Sequence, residues 1–176
     1  ATVILFTSRK RKLSFVNIKD GQYRYFPQFI SSSDSRELMR YLMQNITWRQ
    51  DKISFFGKKQ LIPRLQAWYG DEECRYSYSG LALEPLPWFE KLEELKHLCE
   101  QETQHQFNSA LANLYRTGQD TVGWHSDDEV ELGQNPVIAS LSFGAPRDFY
   151  LQHKTTKEKI ALKLLPGSLL IMSGET

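Results

Sequence analysis

The sequence predicts a mainly β fold with flanking helices, built on a double-stranded β-helix or jelly roll, and three observations lead there. From residue 137 onward the runs VIASLSFGAPRDFYLQ, IALKLL and SLLIM succeed one another as strand-like segments with no helical pattern between them. Parallel strands need helical crossovers, so this order selects antiparallel pairing over a βαβ sheet. Two stripes of helical period fall earlier in the chain, which packs the helices outside the core. At 176 residues, 40% hydrophobic and 12% aromatic, the chain can bury one core and reads as a single domain, 1–176.

In chain order, residues 1–6 are apolar but too short for a secretory leader, and no apolar run approaches the ~20 residues of a membrane span, so no membrane partner is expected. Residues 9–12, RKRK, read as a solvated basic arm, with phosphate contact or an import signal as the alternative. Residues 16–30 read as a short strand, an Asp20-Gly21 turn and a second extended, aromatic segment that opens a sheet. Ser33 or Asp34 is placed to cap a helix whose stripe is Leu38, Tyr41, Leu42 and Met43 and which ends near Asn45.

Residues 48–70 alternate loosely around FFGKKQ, a hairpin-like loop. Phe55 and Phe56 are adjacent and cannot share a strand face, so at least one ring is exposed unless the loop folds back. With Gly57, Lys58 and Lys59 alongside, an exposed ring suits a wedge that enters a base stack while ammonium groups hold phosphates; core aromatics at a strand end are the plainer reading. Tyr76 and Tyr78, either side of Ser77, share one face, where they could stack a flipped base or sit half-buried in a strand. Pro85 and Pro87 lead into a helix in WFEKLEELKHLCEQ, with Phe89, Leu92, Leu95 and Leu98 or Cys99 as its buried stripe. His97 and His105 lack ligand spacing and read as surface residues. The strand after residue 137 is broken or bulged at 144–146, and strands 160–165 and 168–172 are joined by Pro166-Gly167.

The 22 basic and 21 acidic residues leave a net charge of +1, so the molecule is not a polycation and any nucleic-acid site is a local patch. Cys74 and Cys99, without CxxC spacing, read as thiols of a reducing compartment. The expected location is intracellular, cytoplasmic if bacterial and nuclear if eukaryotic, and the expected state is a monomer.

Residues 110–129, ALANLYRTGQDTVGWHSDDE, concentrate the chemistry. In strand-like sequence Asn113 and Tyr115 project to one side, and His125 and Asp127 share a face on the next segment, so two pairs line one cavity. An imidazole and a carboxylate two residues apart can take neighbouring positions on a metal and leave the far side open. That is two-thirds of the facial triad that holds non-haem Fe(II).

Four ordered blocks, PRLQAWYGD from Pro63, YSYSGLALEPLPW from Tyr76, NLYRTGQDTVGWHSDDE from Asn113 and IASLSFGAPRDFYLQHK from Ile138, resemble the AlkB family of Fe(II)- and 2-oxoglutarate-dependent dioxygenases. The likeness is to the DNA-repair branch of animal-type homologues. It implies residues 1–105 as an N-terminal extension with nucleotide-recognition loops and 106–176 as a jelly-roll core that is incomplete at its C-terminal end. It implies Fe(II) on His125 and Asp127, 2-oxoglutarate on Asn113 and Tyr115, and, with O2, hydroxylation of an N-methyl group that then leaves as formaldehyde. Phe55, Phe56, Gly57 and Lys58 match the loop that fills the gap left by a flipped base. Tyr76, Ser77 and Tyr78 match the substrate pocket, Asp128 and Glu129 match acidic residues beside the damaged base, and Arg64 matches a basic residue near the nucleic acid. A methylated ring nitrogen makes the base cationic, which π faces and a nearby carboxylate favour.

The function implied is oxidative dealkylation of 1-methyladenine- and 3-methylcytosine-type lesions in DNA, duplex or single-stranded, with RNA as a further substrate. The alternatives are a jelly-roll module that binds modified nucleic acid without catalysis, and a 2-oxoglutarate oxygenase acting on RNA or protein. The family's third iron ligand and its 2-oxoglutarate arginines are expected after the GSLLIMSG strand, and no residue of the sequence is assigned to either role. His153 belongs to a different strand.

Overall fold

Thirteen strands and two helices occupy the described part of the computed structural model, residues 1–8, 16–18, 21–74, 76–78, 81–126 and 136–174. In chain order they are β1 (Thr2–Ser8), β2 (Val16–Ile18), β3 (Gly21–Phe26), α1 (Ser32–Asn45), β4 (Lys52–Phe55), β5 (Lys58–Leu61), β6 (Leu65–Gly70), β7 (Tyr76–Tyr78), β8 (Leu81–Leu83), α2 (Glu90–Thr103), β9 (Ser109–Leu114), β10 (Val137–Phe143), β11 (Arg147–Gln152), β12 (Lys159–Leu164) and β13 (Ser168–Gly174).

Seven strands form one antiparallel sheet in the order β2-β3-β13-β10-β1-β9-β6. The first strand of the chain is central in it, with Phe6 opposite Ala139 on one side and Ala110 on the other. Read only as too short for a leader, residues 1–6 were not expected to form a strand; their VILF run has the unbroken apolar character of one buried on both faces. The sheet takes β1, β2, β3 and β6 from before residue 105 and β9, β10 and β13 from after it, so it does not divide there.

Pairing register fixes what each face meets. On one face Ile4, Phe6, Leu141 and Ile171 are buried beneath Leu42 of α1, Ile46 just after it, and Leu92, Leu95 and Cys99 of α2. On the other, Ile138, Leu170 and Met172 pack against Phe149, Leu151, Leu162 and Leu164 of the β11–β12 pair. Two β layers with helices outside are the mainly β, jelly-roll type of core that the strand order predicted.

The helices differ from expectation in detail. Ser31 caps α1, accepting the Asp34 N–H at 3.2 Å, in place of Ser33 or Asp34. Leu38, Met39 and Leu42 make its inner side while Tyr41 and Met43 are exposed, because the neighbours of Leu42 in sequence stand about 100° around the helix from it. On α2 the buried stripe runs through Cys99 and leaves Leu98 exposed, and Phe89 is the N-cap, so Pro85 and Pro87 precede the first turn rather than begin it. Gln104 ends α2 in the left-handed region, φ 54°, and turns the chain under the helix. His105, expected at the surface, is therefore only 3% exposed, its Nδ1 2.7 Å from the Thr103 carbonyl oxygen.

Gly144, with φ 81°, lets the chain leave the large sheet after β10 and enter the small one as β11, so the strand expected across 137–152 is two strands in two layers. Pro166-Gly167 makes the reverse crossing. A Cβ on Gly167, whose φ is 80°, would stand 2.5 Å from the Ile30 carbonyl oxygen, so that crossing requires glycine. No disulfide joins Cys74 to Cys99, and burial pushes the Cys99 thiol up. No helix among the described residues is long and apolar enough to cross a membrane. Residues 9–12 and Asp20 of the expected Asp20-Gly21 turn lie outside the described residues.

Candidate active site

The polar exception to the inner faces lies where β9 meets β6. Asn113 stands opposite Val3 of β1 and Gln66 of β6. Strand alternation puts Leu111, Asn113 and then Tyr115 on the face turned toward β11–β12. Both polar residues are deep, Asn113 at 4% and Tyr115 at 7% exposure.

Two guanidinium groups flank them. Arg64, the residue before β6, donates from Nε to Asn113 Oδ1 at 3.0 Å and from Nη2 to Gln66 Oε1 at 3.4 Å. Gln66 Nε2 donates to Asp51 Oδ2 at 2.6 Å, and Arg49 Nε meets Asp51 Oδ1 at 2.6 Å. Arg147 shares a face of β11 with Phe149 and Leu151, lays its guanidinium 3.8 Å over the Tyr115 ring and donates to the Asp120 carbonyl oxygen at 2.6 Å. The Asp120 carboxylate itself is taken by Arg116, whose side chain and backbone N–H hold that carboxyl down at about 2. Among the described residues neither Arg64 nor Arg147 forms a salt bridge, which leaves two cationic groups beside Asn113 and Tyr115.

Burial pushes the Tyr115 phenol up, against a smaller downward pull from Arg64 and Arg147. The hydroxyl is thus a neutral O–H donor at pH 7, and among the described residues it has no hydrogen-bond partner. Together with the Asn113 amide it gives the cluster donors and positive charge, the complement of a carboxylate.

His125 is exposed and lies in irregular chain, not in the strand expected for it. Side chains of Thr117, Asp120 and Thr121 bond to nearby backbone through residues 116–122, offering an alternative to a ladder. Backbone bonding of Thr121 to the Pro63 carbonyl at 2.9 Å and the Arg147 contact with Asp120 tie this segment to the cluster. The His125 Nδ1 is 2.8 Å from the Gly123 carbonyl oxygen, so Nδ1 donates, and in the neutral ring the lone pair is on Nε2. Asp127, Asp128 and Glu129 lie outside the described residues, and no group of three or more His, Cys, Asp or Glu that could hold a metal occurs among those described. His153 Nδ1 accepts the Thr155 and Thr156 N–H groups at 3.3 and 2.9 Å, a turn cap between β11 and β12.

The expected hairpin is present as β4–β5, a two-stranded sheet of its own. Its turn residues Phe56 and Gly57 have φ 47° and 75°, the type I′ pattern that matches strand twist. Left-handed backbone on phenylalanine is unfavourable, and here it holds the ring 92% exposed beside the exposed Lys58 and Lys59. The Phe55 ring lies outside the described part, as do the side chains of Tyr76, Ser77 and Tyr78, whose backbone forms β7 against β8. Arg64, expected near nucleic acid, is 7% exposed and bonded inside the cluster. Sequence reasoning missed Arg147, Gln66 and Asp51. Alternation held a signal for two of them: Arg147 lies in step with the apolar Phe149 and Leu151, and Gln66 in step with Arg64.

Two concavities of about 370 and 400 Å³ lie elsewhere, along the C-terminal end of α2, with His97 and Glu100 lining both. Apart from the buried His105 and Phe107 their lining is exposed or half-exposed, and His97 is already bonded to Glu100 at 2.8 Å, so the buried cluster is the better site.

Residues 22–176 match the 2OG-Fe(II) oxygenase superfamily. The chain is 42% identical over 161 residues to the human alpha-ketoglutarate-dependent dioxygenase alkB homolog 3, covering 86% of this chain and 56% of that protein. It is 43% identical over 133 residues to the DNA oxidative demethylase ALKBH2 of Bos taurus, covering 71% and 48%. To the Arabidopsis thaliana protein of the latter name it is 32% identical over 179 residues, covering 86% and 57%. The chain spans about half the length of the curated relatives it matches.

Proposed function

This chain belongs to the 2OG-Fe(II) oxygenase superfamily, and on that premise we propose that it repairs DNA by oxidative dealkylation of bases methylated at a ring nitrogen, of the 1-methyladenine and 3-methylcytosine type, with RNA as a second substrate. The names of the relatives, a dioxygenase and two DNA oxidative demethylases, support that substrate class. The observation that carries the reading is the buried Asn113–Tyr115 pair beside Arg64 and Arg147, neither of which has a salt-bridge partner among the described residues.

A buried cation such as Arg64 needs compensation, and 2-oxoglutarate, a small dianion, would supply it beside the half-buried Arg147. The Asn113 amide and Tyr115 hydroxyl donate to its carboxylate oxygens, and their burial keeps water from competing. His125, with its lone pair on Nε2, and Asp127 are the metal ligands; a borderline nitrogen and a hard oxygen suit Fe(II). When bound, Fe(II), 2-oxoglutarate and O2 supply the oxidising equivalents that hydroxylate the N-methyl carbon, after which formaldehyde is lost. Tyr76, Ser77, Tyr78, Asp128 and Glu129 hold the cationic base. Anaerobic titration with Fe(II) and 2-oxoglutarate, followed by formaldehyde release from methylated oligonucleotides, tests the reading. Saturable binding with formaldehyde matching lesion loss is expected; binding of modified DNA without formaldehyde would leave only a recognition module.

The Phe56 hairpin fits a wedge into duplex DNA, with Lys58 on the phosphates. Phe56→Ala should change stability by less than about 0.5 kcal/mol, since the ring is exposed. Activity on methylated duplex should fall about tenfold and on single strands much less, because only the duplex requires unstacking. Equal losses on both substrates would rule the wedge out.

A further inference from the structure

We propose that Arg64 is a positioning residue for the cosubstrate and not a nucleic-acid contact: it fixes the Asn113 amide as a hydrogen-bond donor. The inference rests on the reading of Asn113 as a 2-oxoglutarate residue. Arginine can only donate, so its Nε at 3.0 Å assigns the oxygen to that end of the Asn113 amide and turns the N–H2 end away from Arg64. A carboxylate only accepts. Without Arg64 the amide is free to present oxygen to oxygen, which loses a charge-assisted bond and sets two acceptors together.

Arg64 is itself held by the same logic. Asp51 can only accept, so Gln66 Nε2 at 2.6 Å must donate to it, and Gln66 Oε1 is left for Arg64 Nη2 at 3.4 Å. Gln66 is also in register with Asn113 across β6 and β9, so backbone pairing and side chains brace the same two residues. Asp51, Gln66, Arg64 and Asn113 are 5, 5, 7 and 4% exposed, a continuous buried row. The row ends at the base of the Phe56 hairpin, where the Ile62 N–H donates to the Asp51 carbonyl oxygen at 2.9 Å. A phosphate could reach Arg64 only by breaking this row.

The test uses Arg64→Met, which removes the donors, Arg64→Lys, which keeps the charge without the planar fork, and Gln66→Leu, which unlatches Arg64. The 2-oxoglutarate Kd is measured anaerobically with Fe(II), and oligonucleotide Kd against salt in parallel. Arg64→Met should raise the 2-oxoglutarate Kd about tenfold, Arg64→Lys should recover little of it, and Gln66→Leu should raise it about threefold. Oligonucleotide affinity and its salt slope should stay put. An unchanged 2-oxoglutarate Kd with weaker DNA binding and a salt slope lower by about one would make Arg64 a phosphate contact and overturn the proposal. Parallel losses of both affinities with a lowered Tm would overturn it too, as would an unchanged Kd in Gln66→Leu should Arg64→Met not fold. Wild-type protein that fails to bind 2-oxoglutarate would overturn the cosubstrate reading itself; normal wild-type binding unmoved by the variants overturns this inference alone.

Discussion

His125→Ala should reduce turnover to below about 1% of wild type while the protein stays folded, because a facial triad has no spare ligand and loss of one removes the metal's geometry as well as its affinity. The folded state should tolerate the change. His125 is exposed, in irregular chain, and its Nδ1 bonds a carbonyl only two residues away, so the expected stability loss is within about 0.5 kcal/mol. Asp127→Ala should behave alike. Formaldehyde release, anaerobic Fe(II) titration and thermal melting on one preparation decide the matter: lost iron binding and lost turnover at an unchanged Tm place the metal at this pair. Wild-type turnover in either variant would return His125 to the ordinary role of a surface residue bonded to its own turn.

Phe6→Ala should destabilise the protein by ~3–5 kcal/mol, the range for a fully buried aromatic. Its ring is 0% exposed and lies 6.0 Å, centroid to centroid, from that of Phe107. The residues opposite it on both neighbouring strands, Ala139 and Ala110, are too small to fill the space it would leave. For a chain of this length such a loss lowers Tm by roughly 6–20 °C. Urea unfolding gives the free energy directly, and a loss below about 1 kcal/mol would mean that β1 is peripheral rather than central. Set beside Phe56→Ala, the pair separates two phenylalanines that composition treats alike: one ring is fully buried in the core, the other is 92% exposed.

Features that depend on near neighbours were legible in the residues themselves. Period-2 alternation and turn chemistry located the β2–β3 pair, the FFGKKQ hairpin and the breaks at Gly144 and Gly167, and helical period found the buried stripe of α2 through Leu92, Leu95 and Cys99. The four sequence blocks were specific enough to mark the superfamily that residues 22–176 match. The α1 cap was misplaced because Ser31, Ser33 and Asp34 all have capping side chains, and only the backbone at Ser31 decides among them.

By itself, then, the sequence determined the class of fold, the family, and that Asn113 and Tyr115 share a face, since those follow from spacing along one segment. Tertiary structure alone decided which face meets which. It put β1 between β9 and β10, and Arg147 of β11 over Tyr115. It joined Arg64 to Asn113, 49 residues apart, with the Arg64 side chain buried at 7% exposure. Alternation leaves each strand two equivalent ways to face, and only the register of distant strands, set by burying both sides of one sheet at once, chooses between them.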